Sequence, residues 1–158
     1  MGWLERSGPK SIVDPAATAE RLEELGVTVV GYGVDRLPFF LAREADVPLE
    51  HRVDDAAEAA GLLRAHLALE VDAAILLCNP IAVTDALDRD ELLAATVRAA
   101  DRMEREGVAG KAVTPFLLAA LAEETGGASL AANLRLLEDN ARLAAAVAAA
   151  LSAARSGR

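Results

Sequence analysis

Gly126-Gly127 interrupts two stretches of helical spacing, and the run around it from Gly107 to Asn140, GVAGKAVTPFLLAALAEETGGASLAANLRLLEDN, lays out the second half of the chain. Adjacent glycines break a helix readily, because neither residue is penalised for a left-handed backbone. The pattern predicts a first helix capped by Thr114, with Pro115 at its first position, where a missing N–H costs nothing, and Gly126 closing its end. Ser129 is then expected to cap a second helix. Its apolar residues, Leu130, Leu134, Leu137 and Leu136, Leu143, Val147, Leu151, recur every three or four positions. Asn133 and Asn140 lie along that stripe. An amide on an apolar helix face needs partners or loses about 1–3 kcal/mol, so the pair reads either as second-layer bonding to neighbouring backbone or as a polar site at a core edge.

The rest of the chain alternates helix and strand. Asp14-Pro15 starts a helix with Ala17, Leu22 and Leu25 on one side and Gly26 beyond it. Val27-Thr28-Val29-Val30 then reads as a buried strand, closed by Gly31-Tyr32-Gly33, a turn that lets backbone approach something closely. Phe39-Phe40 reads as core packing. Residues 42–53 form an irregular excursion ending in a doubtful strand at His51-Arg52-Val53. Asp54 or Asp55 caps a helix through Leu69, with Ala59, Leu62, Leu63, His66 and Leu69 on its apolar side and His66 at the rim. Ala73-Ala74-Ile75-Leu76-Leu77 is a second strand, and it delivers Cys78-Asn79-Pro80-Ile81 to its carboxyl end, where open α/β sheets bind ligands. Asn79-Pro80 reads as a plain turn or as a ligand-facing loop.

Asp88 and Glu91 have capping-box spacing and open a helix that ends before Gly107. Its Arg98, Asp101, Arg102, Glu104, Arg105 and Glu106 form a solvated face with intrahelical pairs. Residues 1–9 read as irregular and 152–158 as frayed. The expected fold is therefore α/β, a single domain over 1–158 built as a partial three-layer α/β/α module with a small sheet and about five helices. Two firm strands and one doubtful one leave sheet edges and helix faces uncovered, so the chain is expected to oligomerise or to pair with a separate chain.

Composition narrows the chemistry. With 53% apolar residues in 158 the chain can bury one core. A net charge of −9 excludes nucleic acid or an anionic membrane as main partner. One cysteine, Cys78, excludes an internal disulfide framework, and His51 and His66 form no metal-ligand spacing with it. MGWLERSG lacks the apolar core of a signal peptide and no apolar run reaches membrane length, so a soluble, cytoplasmic protein is expected. The only lysines, Lys10 and Lys111, stand against fourteen arginines. Arginine cannot lose its proton or form a Schiff base and lysine can do both, so these two amines are the first candidates for chemistry, with chance in an arginine-biased composition as the alternative.

Lys10-Ser11-Ile12-Val13-Asp14, Gly31-Tyr32-Gly33, Asn79-Pro80-Ile81, Thr114-Pro115-Phe116-Leu117-Leu118-Ala119 and Thr125-Gly126-Gly127 through Ser129-Leu130 to Ala132-Asn133 occur in this order. From about residue 8 to 152 the chain resembles the pseudouridine-5'-phosphate glycosidases, also called indigoidine synthase A-like proteins. That resemblance implies reversible cleavage of the C–C glycosidic bond of pseudouridine 5'-phosphate to uracil and ribose 5-phosphate, by an oligomeric, trimeric α/β/α enzyme with manganese. It assigns Lys10 the Schiff base with the opened ribose and makes Asn133 a site residue for a sugar hydroxyl or the uracil. Asn79, Lys111 and Asn140 are carried over as substrate-binding residues. It also places the acid/base glutamate, the metal-binding aspartate and most phosphate contacts in an N-terminal half with no counterpart here, so this chain supplies no metal ligand. The apolar strand expected before the lysine is replaced by Trp3-Leu4-Glu5-Arg6-Ser7-Gly8-Pro9. Three readings stay open: an active glycosidase, alone or completed by an N-terminal half chain; a non-catalytic half-module; and a helix-rich interaction protein.

Overall fold

The computed structural model describes residues 14–70 and 72–156, with the backbone alone for 154–156. Lys10 and the rest of the KSIVD segment before Asp14 lie outside the described residues. Helix α1 (Pro15–Glu24) begins as expected: Asp14 Oδ1 accepts the Ala17 N–H at 2.9 Å, and Pro15 occupies the first turn. Strand β1 (Thr28–Tyr32) follows Gly26, whose φ of +68° turns the chain out of the helix. Strand β2 (His51–Val53), doubtful from three residues alone, pairs parallel with β1, Val30 opposite His51 and Tyr32 opposite Val53. Strand β3 (Ile75–Cys78) pairs parallel on the other side, Thr28 opposite Ile75 and Gly31 opposite Cys78. The sheet order is β2-β1-β3, with β1 in the middle.

Helix α2 (Ala56–Ala68) crosses between β2 and β3. Asp55, not Asp54, caps it by accepting the N–H groups of Ala57 and Glu58 at 2.8 and 2.9 Å, while Glu58 reaches back to the Asp54 N–H. Val30 and Val53 from the sheet pack with Ala59 and Leu62 of α2 and with Val147 of the last helix, which makes one helical layer. Helix α1 touches β1. Leu76 of β3 remains 39% exposed.

Most of the remaining core lies beyond the sheet. Helix α3 (Arg89–Arg105) packs on α4 (Val113–Glu124), and α5 (Ala128–Ser156) packs on α4 and along α2. The stretch 33–50 folds into them rather than running over the surface: Phe39, Leu41, Ala42 and Ala45 are buried against Ile81, Leu92, Ala95, Leu121 and Ala132. Backbone bonds from Leu37 to Val47 and from Ala45 to Leu37 satisfy its polar groups without a strand or helix. Phe39 joins the core as expected, whereas Phe40 sits 36% exposed at a φ of +48° and corrects the expectation that both rings are buried. A second cluster of Ala99, Met103, Leu117 and Ala120 joins α3 to α4.

Two expected helix caps, Thr114 and Ser129, are corrected. Asp88 caps α3 as expected, through the N–H groups of Asp90 and Glu91, both at 3.0 Å; its charged face holds the expected intrahelical pair, Arg102 with Glu106 at 2.9 Å, and also reaches across to α4, Arg98 with Glu124 and Arg102 with Glu123, each at 2.6 Å. Helix α4 starts at Val113 after a 3-10 turn over Gly110–Ala112, with Ala112 at its cap and no side-chain bond there. Thr114 is therefore inside the helix, and Pro115 is tolerated because first-turn N–H groups have no helical partner. Ser129 is buried within α5. Thr125 takes the capping role, donating its hydroxyl to the Leu121 carbonyl at 2.8 Å and accepting the Ser129 N–H at 3.1 Å. Gly126 and Gly127 both hold the left-handed backbone that the hinge requires, with φ of +58° and +89°. Helix α5 continues through Ser156.

The tight turn after β1 closes on itself. A Cβ on Gly31 would stand 2.1 Å from the Val34 carbonyl oxygen, and Gly33 has a φ of +66°. The close approach read from Gly31-Tyr32-Gly33 is thus to the chain's own backbone.

Candidate functional site

The carboxyl ends of the three parallel strands face one side of the sheet, and β3 hands the chain there to Asn79-Pro80-Ile81. A residue before proline is driven to extended backbone, so Asn79 continues the strand direction. Ile81, fully buried, anchors the turn in the core, and the Arg43 guanidinium donates to the Ile81 carbonyl at 3.1 Å. Asn79 is in this way held at both ends.

Helix α5 brings the second amide. Leu136, Leu143 and Val147 face inward, and Asn140 lies at the border of that inward face. The Asn79 Nδ2 donates to the Asn140 Oδ1 at 3.0 Å, linking residues that are 61 positions apart. The Asn79 amide oxygen and the Asn140 amide nitrogen keep no hydrogen bond to a described residue, so the pair presents one acceptor and one donor. Both sit in a cleft of about 440 Å³ between α2, β3 and α5, walled by Leu63, Leu77, Leu143 and Val147. Such a cleft suits a small molecule with an apolar face and a neutral polar edge.

Among the described residues, no ionisable side chain lines the cleft. Cys78, one residue before Asn79, is pushed up to about 11 by burial, so it stays a thiol at neutral pH and is not an activated nucleophile. His66 is occupied by the Ala73 carbonyl at 2.8 Å, a structural tie between α2 and the start of β3. Among the described residues no group of three or more His, Cys, Asp or Glu could hold a metal ion. Manganese, expected from the resemblance, finds no fitting ligand set there, and no step is assigned to it.

The sequence-derived candidates are distributed unevenly. Asn79 and Asn140 meet. Asn133 lies two turns before Asn140 on α5, half-buried and without a side-chain bond to a described residue, and does not line the cleft. Lys111 is exposed in the 3-10 turn before α4 and does not line it either. Lys10 is outside the described residues. The positioning role of Arg43 was not legible in the sequence, because its partner is a backbone carbonyl 38 positions away.

Comparison with known proteins follows the same lines. Residues 6–150 match the family model described as "Indigoidine synthase A like protein". A pseudouridine-5'-phosphate glycosidase of Methylobacterium nodulans is 43% identical over 95% of this chain and 44% of its own length. The one of Thermus thermophilus is 49% identical over 92% of this chain and 51% of its own. The crystal structure of the prealnumycin C-glycosynthase AlnA in complex with ribulose 5-phosphate superimposes with a TM-score of 0.80 at 42% identity, covering 92% of this chain and 48% of that one. An indigoidine synthase A-like protein from Thermotoga maritima gives 0.75 at 33% identity. The chain spans about half the length of the curated relatives it matches.

Proposed function

Since this chain belongs to the indigoidine synthase A-like family, we propose that it carries the C-terminal part of a pseudouridine-5'-phosphate glycosidase site, with uracil and ribose 5-phosphate as products. The observation that carries the reading is the 43–49% identity to proteins of that name across more than nine-tenths of this chain. The bonded Asn79–Asn140 pair at the carboxyl end of β3 supports it, because a donor and an acceptor side by side match the edge of a nucleobase or a sugar diol.

In this reading Lys10 supplies the reactive amine. Its Nζ bonds to C1' as the C1'–O4' bond breaks, O4' taking a proton and the nitrogen losing one, which opens the ribose; the nitrogen lone pair then forms a C=N bond. The C–C bond to uracil breaks, its electron pair leaves on the base, and a proton is taken up at that carbon. Water then hydrolyses the iminium, releasing ribose 5-phosphate and the free amine. Asn133, Asn79 and Asn140 bind and orient; Lys111 is a weaker substrate-binding candidate. Among the described residues the cleft is lined by no acid, base or cation, so proton transfer and phosphate binding are assigned to groups other than those described lining residues.

The test compares the chain with its Lys10→Arg variant for uracil release from pseudouridine 5'-phosphate with manganese added, and traps the amine with ribose 5-phosphate and borohydride. A covalent mass increase at Lys10 that the variant lacks is the expected result. A chain that neither releases uracil nor traps the sugar overturns catalysis by residues 1–158. A second reading, a non-catalytic half-module, is favoured by the uncharged lining of the cleft among the described residues; weak or absent sugar-phosphate binding would select it.

A further inference from the structure

The two members of the Asn79–Asn140 pair are held in place by different parts of the molecule. Asn140 rides on α5, whose position is set by Leu136 in the main core and by Val147 against Val30 and Ala59. Asn79 rides on the chain just beyond Cys78, the last residue of β3, so its place depends on what holds residues 80–87. The segment 37–47 holds them at two points. The Leu41 carbonyl accepts the Leu87 N–H at 2.8 Å, and Arg43 Nη1 donates to the Ile81 carbonyl at 3.1 Å. That segment is itself braced: the N–H groups of Leu37, Ala45 and Ala42 donate to the carbonyls of Val47, Leu37 and Phe39 at 2.9, 2.7 and 2.8 Å, and Leu41 and Ala42 are buried.

Between the Ile81 carbonyl and Asn79 stands Pro80. Its ring locks its own φ near about −65° and drives the residue before it to extended backbone, so Asn79-Pro80 turns as a lever instead of bending. A displacement at the Ile81 carbonyl is therefore passed on to Asn79. The amide bond has little slack to absorb it: at 3.0 Å, it is gone once its atoms part by about another half ångström. We infer that Arg43 is a positioning residue of the cleft. By holding the Ile81 carbonyl it sets, through Pro80, where the Asn79 amide meets Asn140, and so the direction in which the free acceptor and donor of the pair face the cleft. The guanidinium suits this task because it stays charged and its planar fork offers several fixed donors: Nε lies 3.9 Å from Glu44, which leaves Nη1 to the carbonyl. As an account of substrate orientation the inference rests on the function proposed above; as an account of what sets the amide pair it does not.

The test reads the side-chain amides directly, by NMR of the ¹⁵N-labelled chain without ligand, with Asn79→Ser and Asn140→Ser assigning the two signals. Arg43→Met is expected to shift both amide signals and to speed hydrogen exchange at Asn79 Nδ2 by about tenfold, as for a lost hydrogen bond. Arg43→Lys, which keeps a cationic donor on a long stem, is expected to recover most of the protection. Arg36→Met removes the Arg36–Asp46 pair from the same excursion and is expected to leave both amides as in the parent. Because the Arg43 side chain is 39% exposed, the circular dichroism of Arg43→Met should match the parent. Amide signals indifferent to Arg43→Met overturn the inference. So does an equal change in Arg36→Met, which would mean a general loosening of the excursion, and so does an Arg43→Lys as disrupted as Arg43→Met, which would mean that the stem and not the donor matters. These spectra are taken without substrate and decide the inference by themselves, whereas uracil release decides the proposed function, so the two can fail separately.

Discussion

Replacing Gly31 by alanine isolates the turn that sets the carboxyl end of β1. The new Cβ would stand 2.1 Å from the Val34 carbonyl oxygen and 3.1 Å from Leu49 Cδ1, where ordinary contact begins at 3.4 Å. The leucine methyl can yield, but the carbonyl belongs to backbone fixed on both sides. The Gly33 N–H donates to Val53 at 2.8 Å and the Leu49 N–H donates to Asp35 at 2.9 Å. Moving that oxygen by more than an ångström breaks or stretches both bonds. With about 1 kcal/mol for each bond and about 1–3 kcal/mol for overpacking, the variant should lose roughly 3–5 kcal/mol. Gly33→Ala is the control: it has a φ of +66° but nothing within 4 Å of its Cβ, so only the left-handed backbone opposes it, at about 1–2 kcal/mol. Urea unfolding followed by circular dichroism, with an unchanged m-value, measures both. A Gly31→Ala loss equal to or below that of Gly33→Ala would refute the steric account.

Three further outcomes are expected. Leu92→Ala removes a side chain only 2% exposed at the centre of the main core and should cost about 3 kcal/mol by the same assay, several times the effect of truncating the exposed Leu134. Asp55→Ala should lose about 1 kcal/mol in thermal unfolding because two N–H groups at the start of α2 lose their acceptor, and Asp55→Asn, an equally good cap, should lose almost none. Burial raises the Cys78 thiol from 9.0 to about 11, so the folded state holds that proton more tightly than the unfolded chain. Its contribution is whole below pH 9 and is lost as pH rises from 9 through about 11. Stability should fall more steeply over that window in the parent than in Cys78→Ala, and Cys78 should react slowly with thiol reagents at pH 8; equal slopes would contradict the burial.

Helix starts were legible where a side chain acts on the three residues beside it. Asp14, Asp55 and Asp88 each cap the helix that follows, and Gly126 and Gly127 hold the hinge. The cap of α5 was misassigned because Thr125 and Ser129 are both competent, and the choice depends on how far the first helix runs. The excursion 33–50 was not legible as core, since its burial has no period: Phe39, Leu41, Ala42 and Ala45 are held by contacts with Ile81, Leu92 and Ala132 far along the chain. The leucine stripe of α5 was legible as apolar but not as two faces, one packed and one exposed.

The amino-acid order by itself determined the α/β alternation, the starts of α1, α2 and α3 and the chemistry of the candidates, because these follow from forces acting within a few residues: capping bonds, backbone freedom at glycine and proline, and the difference between an amine and a guanidinium. Tertiary structure alone decided that Asn79 and Asn140 meet while Asn133 and Lys111 stay outside the same cleft. That outcome depends on where α5 lies across the sheet, which is set by the packing of Val147, Leu136 and Ala132 on residues distant in sequence, and packing of that kind leaves no local trace.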